Sequence, residues 1–134
     1  MLMGHVTSRS WLAMMCGLAG TRSERPQTWH WDGTGIERID TPMPSDALTA
    51  AFSAIDASSR DDVWAVGDLT RAATRKGFVE HWDGTRWSIV PTPHVQGQTA
   101  FVAVSANSVA DVWLVGSRTL SGGAIEPLVE HWDG

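Results

Sequence analysis

Short apolar runs separated by turn-forming residues fill the chain, and none shows helical periodicity over a useful length. Phe52–Ala57 is small and β-compatible, and Val63–Gly67 is a compact apolar run. Phe78–Trp82 alternates apolar with polar, and Trp87–Val90 is aromatic and β-branched. Runs of four to six residues at a spacing of ~8–12 predict an antiparallel β meander. The same pattern predicts strands over 101–106, 112–116 and 128–132. Across Phe78–Trp82 the two-residue period sets Val79 and His81 on one face and Phe78, Glu80 and Trp82 on the other.

The runs repeat. HWDG stands at His30–Gly33, His81–Gly84 and His131–Gly134, at steps of 51 and 50 residues. DVWAVG (Asp62–Gly67) returns as DVWLVG (Asp111–Gly116), and FVEHWDG (Phe78–Gly84) returns as LVEHWDG (Leu128–Gly134). AFSAIDA (Ala51–Ala57) is echoed by AFVAVSA (Ala100–Ala106), and DGTGIERIDTP (Asp32–Pro42) by DGTRWSIVPTP (Asp83–Pro93). A fixed period of this kind decides architecture ahead of local propensity. Asp-Gly between two β-runs is a strong hairpin signal, so Trp82-Asp83-Gly84-Thr85 reads as a type I′ turn from a third strand to a fourth. A repeated four-stranded antiparallel unit of about 50 residues is the plan of a β-propeller blade. The expected fold is all-β: four-stranded antiparallel blades of an incomplete propeller over residues 29–134, about two to two and a half blades. Trp64 matches Trp113, and Trp31, Trp82 and Trp132 share one position, as large side chains packing between blades would. The Ala- and Ser-rich first strand suits the innermost place, where blades converge.

On these residues the unit "DVWAVG … FVEHWDGTRWSIVPTP" resembles bacterial propeller repeats related to kelch and to the galactose oxidase central domain. The resemblance runs from Trp29 to Gly134. It implies tandem repeats within a larger, frequently secreted protein, hence an extracellular or cell-envelope location. Two departures stand out. Gly67-Asp68 and Gly116-Ser117 replace the kelch Gly-Gly doublet, and Asp83-Gly84-Thr85-Arg86-Trp87 is not a true Asp-box.

Composition narrows the partners. A net charge of −5 with ten scattered basic residues gives neither a nucleic-acid surface nor a polybasic membrane segment. No stretch approaches the ~18 apolar residues of a membrane span. One cysteine, Cys16, excludes an internal disulfide framework. Residues 1–28 admit two readings: a degenerate first-blade strand, with Gly17 set against Gly67, or a signal-like segment in which Trp11–Cys16 precedes the small residues Gly17 and Ala19.

Candidate chemistry is sparse. His30, His81 and His131 invite a metal hypothesis, but their spacing puts one on each unit, so a repeated structural role is expected. Glu80-His81 and Glu130-His131 read as repeated buried polar pairs, and WD-type propellers are similar in bonding turns and strands through a repeated His and Asp. Asp62 and Asp111 read as caps of the preceding turn. Asp40, Asp46 and Asp56 do not recur; Asp56, with Ser105 as counterpart on an inner strand, is the most interesting, although an isolated Asp there reads as a solvated turn residue. Cys16 has no neighbouring base, and no phosphate loop, paired cysteine or nucleophile motif is present. No catalytic, cofactor-binding or metal residue is assigned, and no cofactor is expected. The expected function is a non-catalytic binding or scaffold module that presents loops to a protein or glycan. The alternative is part of a glycan-active hydrolase, lyase or oxidase whose catalytic residues lie elsewhere. The variable stretches Asp68–Gly77, Ser117–Pro127 and Pro91–Ala100 should be loops at one end and carry any recognition. Gly134 completes a turn whose return strand, the equivalent of Trp87–Val90, does not follow. The expectation is therefore a piece of a longer propeller, or one completed by self-association.

Overall fold

The computed structural model describes residues 11–15 and 25–134. Ten strands follow one another: β1 (Trp11–Met15), β2 (Pro26–Trp31), β3 (Ile36–Asp40), β4 (Thr49–Ser59), β5 (Asp62–Arg71), β6 (Thr74–Trp82), β7 (Trp87–Val90), β8 (Gln98–Ser108), β9 (Asp111–Thr119) and β10 (Ile125–Trp132). They form three antiparallel meanders: a first sheet β1-β2-β3, a second β4-β5-β6-β7 and a third β8-β9-β10. No helix occurs among the described residues, and no sheet closes on itself. All seven strands expected from the pattern form.

Equivalent strands pair in equivalent register. Trp64 lies opposite His81 and Trp113 opposite His131; Trp11 lies opposite His30. This aligns Trp11 with Trp64; Gly17, expected against Gly67, lies outside the described residues. The first strands of the second and third sheets, β4 and β8, carry the same two irregularities, at Phe52/Ala54 and Ala57/Ser59, then at Phe101/Ala103 and Ala106/Ser108. A bulge leaves one residue unpaired and bends the strand. The recurring glycine of VWxVG follows from that bend. A Cβ on Gly67 would fall 1.9 Å from the Ala51 carbonyl oxygen, and one on Gly116 2.0 Å from that of Ala100. Only a residue without a side chain lets the bulged strand cross so close.

Two readings from sequence need correction. The HWDG turn is not type I′, because Gly84 has φ +96° while Asp83 keeps a negative φ. Trp82 pairs with Trp87, leaving the four-residue loop Asp83–Arg86, and the Asp83 side chain closes it. A carboxylate that accepts backbone N–H groups two and three residues on substitutes for the second left-handed residue. The long loops also shrink. Asp68–Gly77 and Ser117–Pro127 are mostly strand, with turns only at Ala72-Ala73 and Leu120–Ala124. Polar side chains paired across the hairpins hold these arms extended, as in the Arg75–Asp68 ion pair at 2.6 Å.

The sheets stack face to face. Phe52, Ile55, Val63, Ala65 and Phe78 bury one face of the second sheet, with Ile39 and Met43 packed against them. Trp64, Val66 and Val79 bury its other face with Phe101, Val112, Leu114 and Leu128 of the third sheet. Between those sheets Trp64 and Trp132 meet at 5.7 Å, so the repeated tryptophans do pack from one unit to the next.

Candidate functional site

The two ends of the stacked sheets differ in chemistry. One end holds the Asp32–Gly35 and Asp83–Arg86 loops and the β4–β5 and β8–β9 turns. Here Asp62 Oδ1 accepts the Trp64 indole N–H at 3.0 Å and faces His81 Nε2 at 2.7 Å. Its Oδ2 accepts the Ser58 hydroxyl from the bulge of β4. The third sheet repeats the arrangement: Asp111 Oδ1 accepts Trp113 Nε1 at 3.0 Å and faces His131 Nε2 at 2.8 Å, while Asn107 donates to Oδ2 at 3.0 Å. Each His ring lies against its Trp, with centroids 4.4 Å apart in one sheet and 4.1 Å in the other. His131, Asn107 and Trp113 together hold the Asp111 carboxyl below its usual range.

Asp62 and Asp111 bond the preceding turn as expected, through Ser58 and Asn107, and also bind across strands. The expected His–Asp bonding forms, whereas the histidines do not pair with Glu80 and Glu130. Neighbours along a strand point to opposite faces, so Glu80 faces away from His81. Glu80 is fully buried between the first and second sheets, and neither carboxyl oxygen has a hydrogen-bond partner. Burial pushes its pKa up to about 8, so it is protonated at neutral pH. Glu130, in an apolar groove of about 640 Å³ beside Leu128 and Trp132, is raised by burial too.

The other acids are structural as well. Asp56 is no turn residue: it sits within β4 and accepts the Ala106 backbone N–H at 2.8 Å, tying the second sheet to the third. Asp40 pairs with Arg38 at 3.2 Å and Asp46 with Arg71 at 3.1 Å. His30 lies on β2 at the position of His81 and His131. Cys16 lies outside the described residues. Among the described residues no three His, Cys, Asp or Glu side chains gather in a metal-binding arrangement.

The opposite end carries a polar cleft. The β5–β6 and β9–β10 hairpin tips and the 91–97 connection surround a cleft of about 670 Å³, lined by Thr74, Lys76, Gln96–Gln98, Thr119–Ser121 and Gly123. A smaller pocket of about 250 Å³ adjoins it across Lys76, lined by Arg71, Phe78, Ile89, Pro91–Val95 and Thr99. Cross-links fix this wall. Lys76 Nζ donates to the Gly97 carbonyl at 2.9 Å, the Gly77 N–H to Thr99 Oγ1 at 2.8 Å, and Arg118 Nε to Glu126 at 2.8 Å. The larger cleft presents hydroxyls, amides and one ammonium, with no carboxylate in its lining. Such donors and acceptors suit a ligand rich in hydroxyl or amide groups. Sequence reasoning found these segments only through their variability between repeats; the individual residues carry no motif.

No family model, curated protein or solved structure matches the chain.

Proposed function

We propose that the chain is a non-catalytic binding module made of β-propeller-type repeat units, which offers the polar cleft at its variable end to a glycan or protein partner. One observation carries this reading: the repeated aspartates and histidines are consumed in holding the sheets, and the polar cleft lies where the repeats differ, whereas the groove along Leu128–Trp132 is apolar. The carboxylates and histidines of the HWDG end bond to one another. The cleft draws instead on Thr74, Gln96, Gln98 and Ser121. Loops on a rigid sheet scaffold are the usual carriers of recognition. The resemblance to kelch and galactose-oxidase-like repeats supports the propeller plan and a secreted setting.

A glycan array probed with the whole chain tests the proposal. Retention of a subset of glycans is expected, lost on replacing Leu120–Ala124 with the two-residue Ala72-Ala73 tip, and weakened by Gln98→Ala. Binding unchanged by both substitutions would remove the cleft from consideration. Release of products from arrayed glycans would replace this reading with the enzymatic one.

A further inference from the structure

The sheets stack by one rule. The second sheet uses one face to cover the third sheet and the opposite face to receive the first. In the second sheet the covering face is Trp64, Val66 and Val79, exposed by 2, 0 and 0 % against the third sheet. In the first sheet it is Thr28 and Ile39, with Thr28 at the repeat position of Val79. In the third sheet the same positions are Trp113, Val115 and Val129, and they are exposed by 43, 42 and 56 %. The first sheet has the converse: its receiving face, with Trp31 and Ile36 side by side, is exposed by 47 and 67 %.

We infer that a second copy of this chain covers the third sheet, docking its first-sheet face (Trp31, Ile36) on Trp113, Val115 and Val129. The occupant follows from the molecule itself, because the first and second interfaces already show which face meets which. The two free faces are the two halves of that pairing, and every copy carries one of each. Charge does not oppose the contact. Arg38 and Asp40 on the receiving face neutralise each other at 3.2 Å, and His131 beside Val129 is bonded to Asp111. Apolar faces of this kind mark association surfaces on soluble proteins. A head-to-tail contact is heterologous, so copies continue into a ring where the rotation closes and a filament where it does not.

Light scattering on the eluting 134-residue chain, across a hundredfold concentration range, tests this. Wild type is expected to associate with rising concentration. Val129→Glu and Ile36→Asp should each be monomeric throughout, with far-ultraviolet circular dichroism confirming an intact fold. Mixed one to one, the two variants should give a dimer and nothing larger, since each keeps one competent face. Val109→Asp, in the exposed β8–β9 turn, should associate as wild type does. Val115→Thr and Trp31→Gln, milder changes on the same faces, serve if the charged variants fail to fold. A wild type that stays monomeric overturns the inference, and so does an Ile36→Asp chain that associates normally, which would indicate face-to-face pairing of third sheets. Glycan retention is a separate readout, so either proposal fails without the other.

Discussion

At the scale of single residues, two copies of one network sit in different surroundings. Asp62 is buried and serves Trp64, His81 and Ser58; Asp111 serves Trp113, His131 and Asn107 in the open. A buried donor stripped of its partner costs about 1–3 kcal/mol, whereas an exposed one turns to water. Asp62→Ala should therefore lose about 2–3 kcal/mol in urea unfolding and Asp111→Ala less than about 1 kcal/mol. The network was half legible: the D-x-W and H elements recur visibly, but strand register, not sequence adjacency, decides that the histidine meets the aspartate. Glu80 gives a second residue-level prediction. Its carboxyl is held at about 8 instead of the ordinary 4.5. Between those values the folded chain keeps a proton that the unfolded chain releases, so stability falls as pH rises. At about 1.4 kcal/mol per pKa unit the loss amounts to a few kcal/mol. Wild type and Glu80→Gln should unfold at similar urea concentrations near pH 5, with the variant clearly ahead at pH 8. Parallel curves would show that Glu80 ionises normally.

At the scale of elements, the HWDG loop shows how one side chain substitutes for turn geometry. Asp83 accepts the Thr85 and Arg86 N–H groups, each at 2.9 Å, and Asp32 does the same for Thr34 and Gly35 at 2.7 and 2.9 Å. Those bonds bring both carboxyls down to about 2. Their contribution is complete above the ordinary 3.8 and disappears as pH falls through about 2. The glycines separate backbone strain from crowding. Gly33 and Gly84 share a φ near +100°, but a Cβ on Gly33 meets nothing within 4 Å, while one on Gly84 meets Asp61 at 3.0 Å. Gly33→Ala should cost about 1 kcal/mol for the conformation alone, and Gly84→Ala more. Gly67→Ala should be worst, since backbone blocks its Cβ, and thermal unfolding ranks the three directly. Strand positions were legible because the apolar runs alternate and recur. The strand arms were not: Asp68, Thr70, Arg75 and Lys76 give no inward apolar face to read, and cross-strand pairing such as Arg75–Asp68 keeps them extended.

At the scale of the whole molecule, the second and third sheets are coupled by an apolar seam with hydrogen bonds at its margins. Phe101, exposed by only 1 %, lies over Gly77, where an added Cβ would come within 2.8 Å of its ring. Farther along the same interface, Asp56 reaches across to the Ala106 N–H. Repeated tryptophans announced this packing in the sequence. The Asp56 link was hidden, because its counterpart is Ser105 and a lone acid near a strand end reads as solvated. Trp64 serves both levels, bonding Asp62 within its own sheet and packing on Trp132 of the next. Phe101→Ala should cost about 3–5 kcal/mol through the cavity it leaves. The loss should fall unevenly. The second sheet keeps its other face packed with Phe52, Phe78 and Trp87, whereas the third sheet's outward face has no neighbour within the described chain. Amide hydrogen exchange should therefore accelerate across β8, β9 and β10 while β5 and β6 keep most of their protection, because local opening follows the weaker packing unit. Uniform acceleration over both sheets would instead mean that they unfold as one cooperative body, and that the interface adds stability without marking a boundary.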